Sequence, residues 1–166
     1  MADIDLLHCA QLLREQQVTI AFAESATAGR IMSEFALAPD SGSFLKGGLV
    51  CYDACIKEDV LGVPAGLIDT YTPESAEVTE AITRGLSRII PADIHIGITG
   101  LTTPGGSETP EKPVGTMFVQ GIVKGATPVF AERRTFSGTP EEIILQTVHL
   151  VLGLLSGYLK VNGDAW

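Results

Sequence analysis

Residues 18–38 carry the pattern that most restricts how this chain can fold. A short apolar run, Val18-Thr19-Ile20-Ala21-Phe22, leads into Ala23-Glu24-Ser25-Ala26-Thr27-Ala28-Gly29, and an amphipathic segment follows from Arg30 to about Ala38. The order reads as a strand, a tight turn of small and hydroxyl-bearing residues, and a helix. Such a turn sits at the carboxyl end of its strand, where open α/β sheets bind their ligands, and it exposes Ser25 there. It also aims the free N–H groups of a helix N-terminus at whatever occupies the site, which favours a phosphate or a developing oxyanion.

The rest of the chain repeats the theme. Apolar positions Ile4, Leu7, Ala10, Leu12 and Leu13 recur at helical spacing over residues 4–16. A breaker cluster, Pro39-Asp40-Ser41-Gly42, closes the helix after the serine turn. Residues 48–52 read as a strand bounded by Gly47-Gly48, and residues 54–61 as a brief helix stopped by Gly62 and Pro64. Thr72-Pro73-Glu74 predicts a helix start, with proline at the first helical position and an end near Ile90. Residues 93–99 form the next strand, followed by a glycine- and proline-rich loop from Gly100 to Pro113. Loops of that length are usually functional or disordered. Strands at 114–123 and 128–136 flank Lys124-Gly125-Ala126 as a hairpin, and a last helix spans 139–160 with Thr139 as its cap. The expected class is α/β: a mixed sheet of about five strands, mostly parallel, with helices on both faces and one hairpin.

Size and charge narrow the function. The 166 residues, 45% of them hydrophobic, fit one domain spanning residues 1–166 with a substantial core. A formal charge of −9 argues against nucleic acid, because phosphate-backbone binding needs clustered Lys and Arg. Cys9, Cys51 and Cys55 lie in segments that read as buried, and they are expected as reduced thiols of a cytoplasmic protein. Their spacing is not that of a zinc site, and His8, His95 and His149 stand alone in apolar contexts, so no metal is expected. The first five residues do not lead from a basic region into an apolar one, and Val148 to Leu155 is too short for a span; neither a signal peptide nor a membrane partner is expected.

Polar groups recur at the exits of the predicted strands: Ser25 after the first, Tyr52 and Lys57 after the second, Thr99 after the third. Strand ends on one side of an α/β sheet converge, so these groups can share a crevice. A serine needs a base to act as a nucleophile, and a lysine whose pKa is lowered by burial is the usual alternative to histidine. Lys57 is the best candidate; Lys46 precedes its strand and reads as solvated. The competing interpretation of the same residues is a helix-cap serine and a solubilising lysine.

The motifs Ala23-Glu24-Ser25 with Thr27 and Gly29, Gly47-Gly48 with Val50 and Tyr52, Lys57, Leu61-Gly62-Val63, Thr99-Gly100, Pro104-Gly105-Gly106 and Lys112-Pro113-Val114-Gly115-Thr116 resemble the CinA C-terminal domain family in order and spacing. Active members of that family are nicotinamide mononucleotide deamidases, and the likeness covers residues 5 to 160 in the manner of the stand-alone form. The resemblance implies a three-layer α/β/α sandwich and a homo-oligomer. The apolar residues of the 114–136 hairpin would offer a pairing surface across a two-fold axis, and burial in the core explains them equally well.

It further implies that Ser25 attacks the carboxamide of nicotinamide mononucleotide, that Lys57 takes its proton, and that Tyr52 orients the lysine or the substrate. Glu24, Ala26, Thr27, Gly29, Gly48, Thr99, Gly100, Gly105 and Gly106 would surround this small-molecule nucleotide, with no cofactor. Several positions depart from the family pattern. Its usual Cys and Gly in the serine turn are Ala26 and Ala28, its Ser-Asn after the tyrosine is Asp53-Ala54, and its Ala-Gly before Pro104 is Thr102-Thr103. Its Gly-Asp-Arg is Gly138-Thr139-Pro140, which leaves Arg133 or Arg134 as the nearby cations. A catalytically impaired nucleotide-binding or interaction protein, or an amidase with another substrate, is the alternative that these departures suggest.

Overall fold

Alternating apolar segments assemble one sheet between two layers of helices. The computed structural model describes residues 4–163. The expectation about a signal peptide therefore falls partly on residues outside the described ones, as do both ends of the expected 1–166 domain. In chain order the elements are α1 (Ile4–Glu15), β1 (Ile20–Glu24), α2 (Arg30–Ala36), a 3-10 turn (Ser41–Ser43), β2 (Leu45–Val50), α3 (Ala54–Asp59), α4 (Ala65–Tyr71), α5 (Ala76–Ser87), β3 (Ile94–Gly100), β4 (Thr116–Val123), β5 (Thr127–Thr135) and α6 (Pro140–Val161).

The strand order is β2-β1-β3-β4-β5. β1 is parallel to both β2 and β3, whereas β3–β4 and β4–β5 are antiparallel, so every strand but β4 points the same way. The chain leaves β1 towards β2 on one side and returns past it to β3 on the other. The carboxyl end of β1 is therefore the switch point at which an open α/β sheet forms a crevice.

Side-chain alternation along the strands feeds two cores. Ile20, Phe22, Ile94, Ile96, Ile98, Met117 and Val119 meet α1, α2 and α6, with Leu13, Phe35, Val151 and Leu155 among the buried partners. Ala21 and Ala23 face the other way, towards Leu61, Ile68, Val78, Ile82 and Leu86. The result is the three-layer sandwich. By length and apolar composition α6 would also pass for a membrane span. Its stripe Ile143, Val148, Val151, Leu152, Leu155 and Leu159 is instead buried in the core, at roughly 1.5–3 kcal/mol for each large apolar side chain.

Several expectations shift. β2 begins at Leu45, not Gly48, because the glycine pair lies inside the strand: a Cβ on Gly48 would stand 2.4 Å from the Phe22 carbonyl oxygen. Pro73 does not open α5; Ser75 caps it by accepting from the Val78 N–H at 3.2 Å, and the short α4 fills part of the preceding stretch. The hairpin is not the only antiparallel pairing, since the long loop after β3 also returns antiparallel. Cys55 is exposed, near the start of α3, while Cys9 and Cys51 are buried. Burial pushes the Cys9 thiol up to about 12 and the Cys51 thiol up to about 11, so both stay protonated and inert. The hairpin contributes none of the exposed large apolar side chains; Met117, Val119 and Ile122 are buried within the chain itself.

Candidate active site

At the end of β1 the chain must turn from an extended strand into α2 within a few residues. Ala28 and Gly29 make that turn in the left-handed region, at φ 50 and φ 91. Glycine adopts this conformation freely, whereas alanine pays for its Cβ. The turn carries Ser25, 7% exposed, to the floor of a cleft of about 240 Å³. Tyr52, Glu74 and the loop from Gly100 to Gly106 form the rest of its lining.

The N-terminus of α2 is not free to hold a ligand, contrary to the reading of the turn as an open anion cradle. The buried Glu24 carboxylate accepts from Thr27 Oγ1 at 2.7 Å, from Gly29 N–H at 3.0 Å, from Ile31 N–H at 3.2 Å and from Met32 N–H at 2.8 Å. A carboxylate at this end matches the unpaired donors and the positive pole of the helix. Ala28 N–H is also spent, on Ser25 O at 3.1 Å. The Ala26 and Thr27 N–H groups donate to no acceptor among the described residues. Of the two residues only Ala26 lines the cleft, so its N–H is the backbone donor of the turn placed to meet an oxyanion there.

Lys57 lies on α3, whose cap is Asp53 accepting from Cys55 N–H at 2.9 Å. The lysine is 1% exposed. Its Nζ donates to Cys51 O at 2.8 Å and to Tyr52 O at 3.1 Å, and no hydrogen bond joins it to Ser25 Oγ. Burial holds its pKa below the ordinary lysine value, countered by neighbouring Cys51, Glu74 and Asp53. In the neutral amine two N–H bonds match the two carbonyl oxygens, and the lone pair is left over. Tyr52 thus holds Lys57 through its main-chain oxygen; its side chain is 64% exposed. Lys46 is exposed on β2.

The cleft gathers Ser25, Ala26, Tyr52, Gly100, Gly105 and Gly106 from the residues expected in the site. Glu24, Thr27, Gly29, Gly48, Lys57 and Thr99 are not part of that lining. Thr99 is fully buried and pairs with Thr79 Oγ1 at 2.8 Å, and Gly48 packs its backbone against Phe22 and Met32. Gly100 has no room for a side chain, since a Cβ there would stand 2.8 Å from the Thr116 carbonyl oxygen. Sequence reasoning gave no role to Glu74, Ser107 or Lys112 in this region. Lys112 Nζ donates to Thr72 Oγ1 at 2.6 Å, Glu74 O at 2.9 Å and Ser107 Oγ at 2.7 Å, and Ser107 donates to Glu74 Oε2 at 2.5 Å. The sequence marked Lys112 within the 112–116 motif and Glu74 within a helix start, but these segments are far apart in the chain and nothing in either pointed to the other.

Comparison with known proteins agrees with this architecture. The model of the CinA C-terminal domain matches residues 6–159. The chain belongs to the CinA C-terminal domain family. A CinA-like protein of Thermotoga neapolitana is 33% identical over 153 residues, covering 92% of this chain and 36% of that protein. A CinA-like protein of Gemmatimonas aurantiaca is 36% identical over 165 residues, covering 99% of this chain and 37% of that protein. The chain therefore spans about a third of the length of such relatives. Among solved structures, a competence-damaged protein (CinA) superfamily protein from Klebsiella pneumoniae superposes with a TM-score of 0.87 at 25% identity, covering 94% of this chain and 96% of the other. A CinA superfamily protein from Escherichia coli gives 0.83 at 28%, covering 93% and 91%.

One of the departures noted in the sequence has a structural explanation. Thr139 and Glu142 form a reciprocal capping box at the start of α6, with Pro140 at its first turn, so the segment that lacks the family's arginine is a helix start. Neither nearby arginine replaces it in the cleft. Arg133 lies over the Phe118 ring at 5.7 Å and donates to Glu111 O, and Arg134 pairs with Glu132 at 3.2 Å.

Proposed function

We propose that this CinA-type domain is an amidohydrolase in which Ser25 attacks the carboxamide of nicotinamide mononucleotide or a close relative. The observation that carries the reading is the position of Ser25 in the cleft, beside an unspent backbone donor of the same lining, Ala26 N–H. Ser25 Oγ would bond to the amide carbon while its proton passes to the neutral Lys57 amine. The tetrahedral oxyanion would be met by the Ala26 N–H, the type of stabilisation that dominates acyl transfer. Ammonia then leaves with a proton returned by Lys57, and water releases the carboxylate by the same route. Lys57 fits the role of base because burial favours its neutral form. Direct contact with Ser25 is absent in the free protein, and catalytic hydrogen bonds often close only around substrate.

That same missing contact favours a second reading, a domain that binds the nucleotide without turning it over. Thermal unfolding with and without nicotinamide mononucleotide, run beside an ammonia assay, separates the two. Ligand stabilisation without product supports the binder, because binding raises apparent stability whatever the chemistry. Ammonia release that disappears in Ser25→Ala supports the hydrolase.

A further inference from the structure

Among the described residues that line the cleft, Glu74 alone carries a formal charge. It is half-buried in the turn between α4 and α5. Ser107 fixes one carboxylate oxygen, Oε2, and Lys112 fixes Ser107. Oε1 accepts from no donor among the described residues. Lys112 cannot serve an anionic ligand, since an ammonium has three N–H donors and all three are taken by Thr72, Glu74 O and Ser107. Lys57 donates to Cys51 and Tyr52 outside the lining. Arg133, over the Phe118 ring and bonded to Glu111 O, borders a neighbouring hollow with Glu74 and not this cleft, and Arg134 pairs with Glu132. The lining of the cleft therefore carries one carboxylate, with Oε1 unbonded among the described residues, and no cation.

We infer that Glu74 is a specificity-determining residue that selects a positively charged ring: a carboxamide carried on an N-substituted pyridinium, with the ring charge against Oε1. The inference rests on the reading of Ser25 as the nucleophile for a carboxamide. Opposite charges attract far more strongly in a partly desolvated cleft than in bulk water. A phosphate on the same substrate meets no cation there, so it contributes little to binding and stays towards solvent. The net charge of −9 works in the same direction.

The test compares kcat/KM for nicotinamide mononucleotide, nicotinamide riboside and the uncharged benzamide riboside, with the unmodified chain and Glu74→Gln. Glutamine keeps an oxygen for Ser107 and removes only the charge. The expected result is that the riboside is used within about threefold of the mononucleotide. Glu74→Gln should lose at least about tenfold more on the pyridinium riboside than on the benzamide riboside, mainly through KM, the scale of one charge-assisted contact. A mononucleotide preference above tenfold, or equal losses on charged and uncharged ribosides, overturns the assignment. A second arm needs no turnover: calorimetry of Ser25→Ala with the 1-methylnicotinamide cation and with neutral nicotinamide. Tighter binding of the cation, lost when Glu74→Gln is added, upholds the assignment even if no substrate is hydrolysed, in which case the amidase reading alone fails. Equal affinities, or no binding of the cation, overturn the assignment while leaving an active amidase intact.

Discussion

Glu24 and Ser25 are adjacent, yet they serve opposite sides of the same turn. Glu24 points into the protein and satisfies α2, while Ser25 faces the cleft. Adjacent residues at a strand end alternate in direction, so the pair divides naturally into support and chemistry. Ala28 shows what the turn costs. It holds φ 50 with its side chain exposed, so Ala28→Gly relieves the strain of a left-handed alanine without losing packing. Weighed against the extra freedom of glycine in the unfolded chain, the variant should gain about 0.5–1 kcal/mol in denaturant unfolding. An unchanged or lower midpoint would mean that the turn is not strained. Lys57 gives a pH prediction with a definite sign. The amine takes a proton from Ser25 only when neutral, so kcat/KM should climb with pH as Lys57 deprotonates. Burial brings that climb below the ordinary value of 10.5. Stability follows the same direction: the folded state binds this proton less tightly than the unfolded chain, so the cost of burying the charge fades as pH rises from the folded pKa towards 10.5. A flat rate profile over that range would remove Lys57 from the proton path.

At the scale of elements, the α2 N-terminus is the clearest case of a structure revising a motif. A strand–turn–helix with small residues reads equally well as an anion cradle or as a helix capped by its own acid, and only the direction of Glu24 decides. Glu24→Gln puts an amide among donors where four hydrogen bonds now reach a carboxylate. It should cost about 2–4 kcal/mol in denaturant unfolding, combining the loss of a cap with that of charge-assisted bonds. A loss under 1 kcal/mol would mean that water replaces the cap. Long periodic segments such as α1 and α6, and the strands at 20–24 and 94–100, were legible from apolar spacing. Elements with weak local signals were not. α4 is seven residues with one buried side chain, Ile68, and its register is set by packing rather than by a pattern of its own. The glycines of β2 looked like a boundary because sequence does not reveal that a neighbouring carbonyl leaves no room for a Cβ at Gly48.

Over the whole molecule, the switch at β1 gathers chain segments that are far apart in sequence. Ser25 follows β1, Tyr52 follows β2, Gly100 to Gly106 follow β3, and Glu74 arrives from the far helical layer. The sequence motifs made the first three legible because each stands at a strand exit. Glu74, Ser107 and Lys112 were not, since their cluster exists only once the loop after β3 folds against the start of α5. These segments meet around Ser25. The most direct measurement is ammonia release from nicotinamide mononucleotide by equal amounts of the unmodified chain and Ser25→Ala, with a thermal scan to verify that the variant is folded. Loss of the nucleophile should lower the rate by at least about 10³-fold. Equal release by both proteins, or none by either, would contradict Ser25 as the nucleophile of an amidohydrolase.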